Sequence, residues 1–171
     1  MKSAAPRVGI LMGSDSDWEV MSAAAARLDA LGVPYEVTVT SAHRAPQRTA
    51  EYARRARERG LGVLIAGAGV AAHLAGVVAA YTTLPVIGVP LEAGSLRGID
   101  ALLSTVQMPA GVPVAAVAIG KHGAENAAIL ATQILAVSDE KLAKRLAAFK
   151  EELARQVDEK DARLKQRRQR G

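Results

Sequence analysis

Short apolar runs alternate along the chain with longer stretches in which apolar residues recur at helical spacing. The apolar runs predict strands at residues 7–12, 35–40, 62–67, 84–90 and 112–120. The stretches between and after them predict helices at residues 18–31, 46–59, 71–80, 95–106 and 125–136. Regular alternation of this kind predicts a doubly wound α/β fold, in which helices cover both faces of a parallel sheet.

Glycine, proline and serine residues mark several predicted helix boundaries. Gly32 and Gly60 fit positions just after a helix, and Pro46 fits a first helical turn. The last stretch, residues 138–164, predicts a long C-terminal helix with Ser138 as its N-cap and with no strand after it. Its leucines form a stripe, which predicts packing against another surface such as a neighbouring subunit.

Composition and charge favour one domain, residues 1–158, followed by a basic tail at residues 159–171. The tail has six Lys/Arg and two Asp/Glu, a balance of +4; the remaining 16 basic and 15 acidic residues leave +1 for the rest. Aromatic residues make up 3% of the chain, too few for a surface that stacks bases. We therefore expect a solvated tail, either disordered or a helix extension, and no nucleic-acid partner.

The absence of cysteine excludes disulfides, thiolate metal sites and cysteine nucleophiles, and it is compatible with the reducing cytoplasm. The first residues contain no convincing secretory signal. Residues 61–91 are nearly free of charge, but glycines and prolines divide them into two strand-like runs. We expect a cytoplasmic protein without a membrane span.

Polar loops follow the first four predicted strands. They read MGSDSDWE, SAHRAP, GAGVAAHL and VPLEAGS. In a doubly wound sheet, ligands bind at the carboxyl ends of the strands, where such loops converge. The sequence therefore predicts that the four loops border one ligand pocket.

The first loop has residues suited both to helix capping and to ligand binding. Ser16 and Glu19 have the spacing of a capping box, and Ser14 and Asp17 nearly form another. Hydroxyls and carboxylates at a helix N-terminus also suit a sugar phosphate, because backbone N–H groups can hold the phosphate while a carboxylate binds the sugar. Both interpretations stay open at this point.

The second loop places His43 beside Arg44. A lone histidine in a loop is usually satisfied by a nearby carbonyl, but here a cation adjoins it and the third loop contributes His73. An imidazole that titrates near neutral pH suits proton transfer, so His43 is a candidate general acid and base. Nothing singles out His122, which we interpret as a loop residue.

Two other classes of function match parts of the sequence. Gly67, Gly69 and Ala72 fit the G-x-G-x-x-A form of a dinucleotide fingerprint, which keeps an oxidoreductase open. Against it, the motif lies in the third βα unit and the chain has no room for a separate substrate domain. A metal-dependent hydrolase is weaker, since the histidines lie on different loops without paired carboxylates, and we expect no metal.

Taken together, the loops resemble the class I PurE family, the 5-(carboxyamino)imidazole ribonucleotide mutases of purine biosynthesis. The resemblance extends from about residue 8 to residue 136 and includes MGSDSDW, SAHRAP, IAGAGVAAHL, LPVIGVP and GIDALLSTVQMPAGVPVAAVAIG. It implies a flavodoxin-like three-layer α/β/α sandwich, assembled as a homo-octamer. It also implies transfer of a carboxylate from the exocyclic nitrogen to the imidazole C4 without metal, ATP or biotin. The related class II enzymes, which carboxylate aminoimidazole ribonucleotide directly with carbon dioxide, are the nearest alternative.

The same resemblance implies roles for individual residues. His43 would transfer the proton, and Ser14, Asp17 and Arg44 would bind the ribonucleotide. The further substrate-binding residues that it implies are Ser41, Gly67, Ala68, Gly69 and His73. Residues 102–113 would close the pocket from a neighbouring subunit.

Val70 departs from the family sequence, which usually has glycine at this place. If the backbone there has a positive φ, a β-branched residue costs roughly 1–2 kcal/mol or remodels the loop. We expect such a change to affect pocket shape and rate more than reaction class.

Overall fold

The computed structural model describes Ala5 and residues 7–169, and five strands of these residues form one parallel sheet. The strands are β1 (Val8–Met12), β2 (Tyr35–Val39), β3 (Val63–Gly69), β4 (Val86–Leu91) and β5 (Ala115–Ala116). Their spatial order is β2, β1, β3, β4, β5, which is the flavodoxin-like order. The predicted fold class is therefore confirmed.

Six α-helices of the described residues cover the two faces of the sheet. They are α1 (Trp18–Leu31), α2 (Pro46–Arg55), α3 (Leu74–Ala80), α4 (Ile99–Val106), α5 (Lys121–Ala136) and α6 (Glu140–Gln169). Helices α1 and α5 pack on one face, with α6 against both of them, and α2 and α3 pack on the other. The predicted three layers and long C-terminal helix are confirmed.

The central strand β1 contributes side chains to two separate cores. Ile10 and Met12 pack beneath α1 and α5, whereas Leu11 faces α2 and α3. At most 1% of the surface of each is exposed. Because successive side chains of a strand point to opposite faces, a strand covered on both sides has to be apolar throughout.

The uncharged region 61–91 forms β3, α3 and β4 rather than a single apolar helix. Among the described residues, no helix is long and apolar enough to cross a membrane.

The fifth strand is shorter than the predicted residues 112–120 and contains Ala115–Ala116 alone. The N–H groups of Val117 and Gly120 still donate to carbonyl oxygens of β4, at 3.2 and 2.9 Å. Pro90 of β4 has no N–H to donate in return, so the regular ladder ends here.

Helix α1 has the predicted bounds, but α2 does not. Gly32 ends α1 with φ 65°, the left-handed conformation that suits glycine. The predicted helix 46–59 ends at Arg55, and residues 56–60 form turns instead. Gly60, with φ 91°, ends those turns and does not terminate α2.

Three other helices also begin away from their predicted first residues. Helices α3 and α4 begin three and four residues late, at Leu74 and Ile99. Arg97 and Gly98, with φ of 48° and 86°, precede α4 directly, and before α3 the His73 N–H donates to the carbonyl oxygen of Ala71 at 2.8 Å, a bond that an α-helix does not make. Helix α5 begins four residues early, at Lys121.

The N-cap of α6 is Asp139, so the prediction of Ser138 was wrong. Asp139 Oδ1 accepts hydrogen bonds from the N–H groups of Lys141 and Leu142 at 3.1 and 3.2 Å. Its Oδ2 accepts from Arg7 Nη1 at 2.6 Å. The Arg7 guanidinium holds the pKa of Asp139 below its usual value, which keeps the capping group ionised.

Helix α6 packs on the body of the protein through its first half. Arg145 Nη1 donates to the carbonyl oxygens of Leu31 and Gly32, at 2.9 and 3.2 Å, and thereby caps the end of α1. Phe149 packs against the same core, with the Arg27 guanidinium 4.6 Å from its ring centroid. Residues 159–168 continue the helix with exposed side chains.

We expect a chain that ends at Asp158 to keep its melting temperature and its assembly, because residues 159–168 pack on nothing in the described fold. A chain that ends before Phe149 should melt at a lower temperature, since it loses an apolar contact with the core. Thermal unfolding and light scattering check both. Loss of assembly on removing residues 159–171 would contradict this division of the chain.

Candidate active site

A cavity of about 400 Å³ opens at the carboxyl edge of the sheet, where the loops of β1 and β3 diverge at the switch in strand order. Loops that follow all four longer strands line it. The lining residues are Gly13, Ser14 and Asp17 after β1, residues 41–44 after β2, Ala68 and Gly69 at the end of β3 with Val70, Ala71 and Leu74 after it, and Ala93 after β4. The predicted convergence of the four loops is confirmed.

A capping box in the first loop holds a carboxylate at the cavity. Asp17 Oδ2 accepts from the Ser14 N–H at 3.0 Å, and Ser14 Oγ accepts from the Ser16 N–H at 3.4 Å. The box that we predicted from Ser16 and Glu19 does not form, because Ser16 lies inside a 3-10 turn, Asp15–Asp17, of which Ser14 is the N-cap. Ser16 Oγ donates to Ser14 Oγ at 2.9 Å. Burial raises the pKa of Asp17, and hydrogen bonds from backbone N–H groups oppose that rise.

His43 and His73 are hydrogen-bonded to each other, with His43 Nε2 2.8 Å from His73 Nδ1. The rings meet edge to face at a centroid distance of 4.9 Å. One hydrogen fits between the two nitrogens, so one ring donates and the other accepts. The sequence predicts that both residues lie at this edge of the sheet, but it does not predict their contact.

Arg44 connects the first two loops of the cavity. Its Nη2 donates to the carbonyl oxygen of Gly13 at 3.3 Å, and its backbone N–H donates to Ser41 Oγ at 3.2 Å. Among the ion pairs of residues 7–169, none includes Arg44. The guanidinium is therefore available to an anionic ligand.

Gly67 and Gly69, which the sequence placed in the third loop, lie at the end of β3 and are explained by close packing. A Cβ at Gly67 would lie 2.4 Å from Met21 Sδ, and a Cβ at Gly69 would lie 2.8 Å from the Cβ of Ala93. Ala68 and Gly69 line the cavity, whereas Gly67 is buried behind it. The glycine pattern thus has a structural reason that needs no dinucleotide.

Seven of the nine predicted site residues line the cavity, namely Ser14, Asp17, Ser41, His43, Arg44, Ala68 and Gly69. Of the other two, His73 contacts His43 and Gly67 is buried. Their roles in binding and catalysis stay predictions. Sequence reasoning did not single out Ala42, Ala71, Leu74 and Ala93, because small and apolar side chains carry no chemical signal.

The third histidine, His122, lies in the first turn of α5 and does not line the cavity. In the described part of the chain, no group of three or more His, Asp or Glu side chains is arranged to hold a metal ion.

Fold and cavity define a flavodoxin-like α/β protein with a cavity at the switch point of its sheet. The sequence model of one family, described as AIR carboxylase, matches residues 7–156. The chain belongs to the AIR carboxylase family.

Several relatives are named N5-carboxyaminoimidazole ribonucleotide mutase. The protein of Pyrococcus horikoshii is 54% identical over 166 residues, which cover 97% of this chain and 93% of that protein. The protein of Mycobacterium tuberculosis is 59% identical over 159 residues, or 93% and 90% of the two chains. The protein of Bacillus subtilis is 58% identical over 161 residues, or 94% and 93%.

A solved structure, that of Treponema denticola PurE, has the same fold. It matches this chain with a TM-score of 0.84 at 30% sequence identity and covers 94% of this chain and 99% of its own.

Val70 adopts the left-handed conformation, with φ 54°. The positive φ that we considered from the sequence is therefore present, and this conformation costs roughly 1–2 kcal/mol for a residue with a Cβ. The side chain lines the cavity and 52% of its surface is exposed.

We expect Val70→Gly to raise ribonucleotide affinity or turnover, because glycine relieves the left-handed strain and widens the cavity. Val70→Ala is the matched control, since alanine keeps the strain and removes bulk. A gain in glycine alone would show that strain matters, and an equal gain in both would show that bulk matters. Kinetics identical to wild type in both variants would contradict the prediction.

Proposed function

We propose that this chain is an enzyme that converts N5-carboxyaminoimidazole ribonucleotide to 4-carboxy-5-aminoimidazole ribonucleotide. The observation that carries the proposal is that His43, Arg44 and Asp17 meet in one cavity of a chain 54–59% identical to proteins named as this mutase. The cavity, at about 400 Å³, is within the size range of small-ligand pockets.

The reaction requires few groups. The bond between the exocyclic nitrogen and the carboxylate carbon breaks, carbon dioxide is carried across, and a bond to C4 forms. The nitrogen gains one proton and C4 loses one, so the proton count balances. A single group that gives the first proton and removes the second is sufficient.

His43 is the side chain that we assign to this proton transfer. It lines the cavity, and an imidazole accepts and releases protons near neutral pH. Its 2.8 Å contact with His73 orients the ring, because the shared hydrogen has to lie between the two facing nitrogens. In this proposal His73 therefore holds the ring of His43 in place.

Arg44, Ser14 and Asp17 bind the ribonucleotide in this proposal. The Arg44 guanidinium, which has no ion pair within residues 7–169, attracts the phosphate. A carboxylate held by a backbone N–H group can accept hydrogen bonds from ribose hydroxyls. Binding the phosphate, far from the reacting atoms, orients the imidazole ring of the substrate against His43. The apolar residues of the loops then keep carbon dioxide beside C4 until it is recaptured.

Two alternatives have weaker support. Direct carboxylation of aminoimidazole ribonucleotide would use the same pocket, but the mutase name of the relatives at 54–59% identity favours carboxylate transfer. An oxidoreductase would require an acidic group for the ribose after the G-x-G-x-x-A motif. Glu92, which has that place in the sequence, is exposed and does not line the cavity.

We further propose a cytoplasmic homo-octamer. Helix α4 and the residues just before it have an exposed apolar surface, which favours contact with a neighbouring copy. The exposed fractions are 62% for Leu96, 52% for Ile99, 54% for Leu103 and 48% for Val106. In this arrangement residues 102–113 would close the cavity of a neighbour. A phosphorylated biosynthetic intermediate as substrate supports the cytoplasm as the compartment.

His43→Asn should reduce turnover by about 10²- to 10⁴-fold while the ribonucleotide still binds, because the variant keeps a polar group but cannot transfer a proton near neutral pH. Steady-state kinetics and calorimetric titration of the ribonucleotide measure the two effects. A variant that turns over at the wild-type rate would show that the catalytic assignment is wrong.

Arg44→Ala is the paired variant, because the same loop carries both side chains. It should weaken binding first and affect ligands with a 5′-phosphate far more than the matching nucleoside. If both variants lose binding alone, residues 41–44 form a phosphate clamp, and His73 becomes the candidate for proton transfer.

The proposed reaction is tested with two substrate mixtures, followed by absorbance of the product. The purified protein should convert the carboxyamino ribonucleotide rapidly and should not accelerate product formation from aminoimidazole ribonucleotide plus bicarbonate. The reverse preference would favour direct carboxylation. Saturable binding of NAD or NADP at concentrations where the ribonucleotide does not bind would favour an oxidoreductase.

A further inference from the structure

Two threonine hydroxyls meet in the protein interior beneath the loop that carries His43 and Arg44. Thr40 follows β2 and Thr49 lies in α2; both are 0% exposed, and their Oγ1 atoms are 2.8 Å apart. We propose that this hydroxyl pair positions residues 41–45 for catalysis. The inference rests on the proposed function, since it concerns the geometry of the same site.

One assignment of donors uses the hydrogens of both hydroxyls. Thr49 Oγ1 donates to the carbonyl oxygen of Ala45 at 3.1 Å. Each hydroxyl has one hydrogen, so Thr40 uses its own by donating to Thr49. A chain of two hydrogen bonds therefore connects the residue before the loop to the last residue of the loop.

Backbone bonds fix both ends of the same loop. The Thr40 N–H donates to the carbonyl oxygen of Met12 at 2.8 Å, and the Ala45 N–H donates to that of Ser41 at 2.9 Å. Ala45 occupies the N-cap of α2, and α2 has no side-chain cap. The hydroxyl of Thr49 thus adds a buried side-chain restraint to this helix start, where Arg48 Nη2 also donates to the carbonyl oxygen of Val39.

The functional side chains depend on the loop for their placement. His43 and Arg44 are exposed, and their side chains make hydrogen bonds to other loops at 2.8 and 3.3 Å. A displacement of about 1 Å at a reacting group can cost about 10²-fold in rate. The hydroxyl pair does not line the cavity, so its members are positioning residues rather than catalytic ones.

The double variant Thr40→Val/Thr49→Val tests the inference. It replaces both hydroxyls by methyl groups of similar shape and leaves no buried hydroxyl unpaired, so the melting temperature should stay close to wild type. We expect kcat for the carboxyamino ribonucleotide to fall about tenfold, with a smaller change in KM. Thr49→Ser, which keeps the hydroxyl, should retain most of kcat.

Thr132→Val is the matched control. Thr132 is also 0% exposed and donates to the carbonyl oxygen of Ala128 at 2.8 Å, but it lies in α5, away from the cavity. Its removal should leave kcat unchanged. A double variant with the wild-type kcat and melting temperature would overturn the inference.

Thr40→Val decides the question if the double variant does not fold, because it removes the connection to the strand end and leaves the bond from Thr49 to Ala45. A reduced kcat in a folded protein supports positioning, and a wild-type kcat overturns it.

A wild-type protein that does not interconvert the ribonucleotides would contradict the proposed function alone. The hydroxyl pair is then tested by a crystal structure of the double variant. Separation of His43 Nε2 from His73 Nδ1 beyond hydrogen-bond distance supports the inference, and an unchanged contact overturns it.

Discussion

The parallel pairing of β1 with β2 on one side and β3 on the other determines where the functional groups lie. In this register Met12 is level with Val39 and Gly67, so β1 and β2 end at the same height beside β3, which continues two residues further, to Gly69. The loops with nearly all polar groups of the cavity begin there. A slip of one residue would turn Ile10 and Leu11 to the wrong cores and would separate the loops.

Hydrogen bonds between side chains and backbone groups, rather than ion pairs, hold the site together. Asp17 accepts from a backbone N–H, Arg44 donates to a carbonyl, and Thr49 donates to the carbonyl of Ala45. This arrangement leaves the charged ends of Asp17 and Arg44 without opposite charges inside the described protein. Such groups remain able to bind a ligand that has both a phosphate and sugar hydroxyls. The strained Val70 shows that the loops do not follow local preference at every position.

Sequence patterns predicted the order of elements, the fold class and the convergence of the four loops, because hydrophobic periodicity reports burial directly. They were less accurate where a residue far away in the sequence determines where an element begins or ends. Pro90, in the neighbouring strand β4, has no N–H to donate and thereby shortens β5. Asp139 rather than Ser138 caps α6, and Arg7 pairs with its carboxylate. The contact of His43 with His73 also depends on the relative placement of two strands, which spacing alone does not give.

The transfer of carboxylate within one cavity is tested most directly with substrate labelled with ¹³C in its N-carboxylate, converted in the presence of excess unlabelled bicarbonate. If carbon dioxide stays beside C4 in the cavity lined by His43 and the third loop, the 4-carboxylate of the product keeps the label. NMR of the product measures this fraction. Product that has the isotopic composition of the bicarbonate would contradict an internal transfer and would show that carbon dioxide enters from solution.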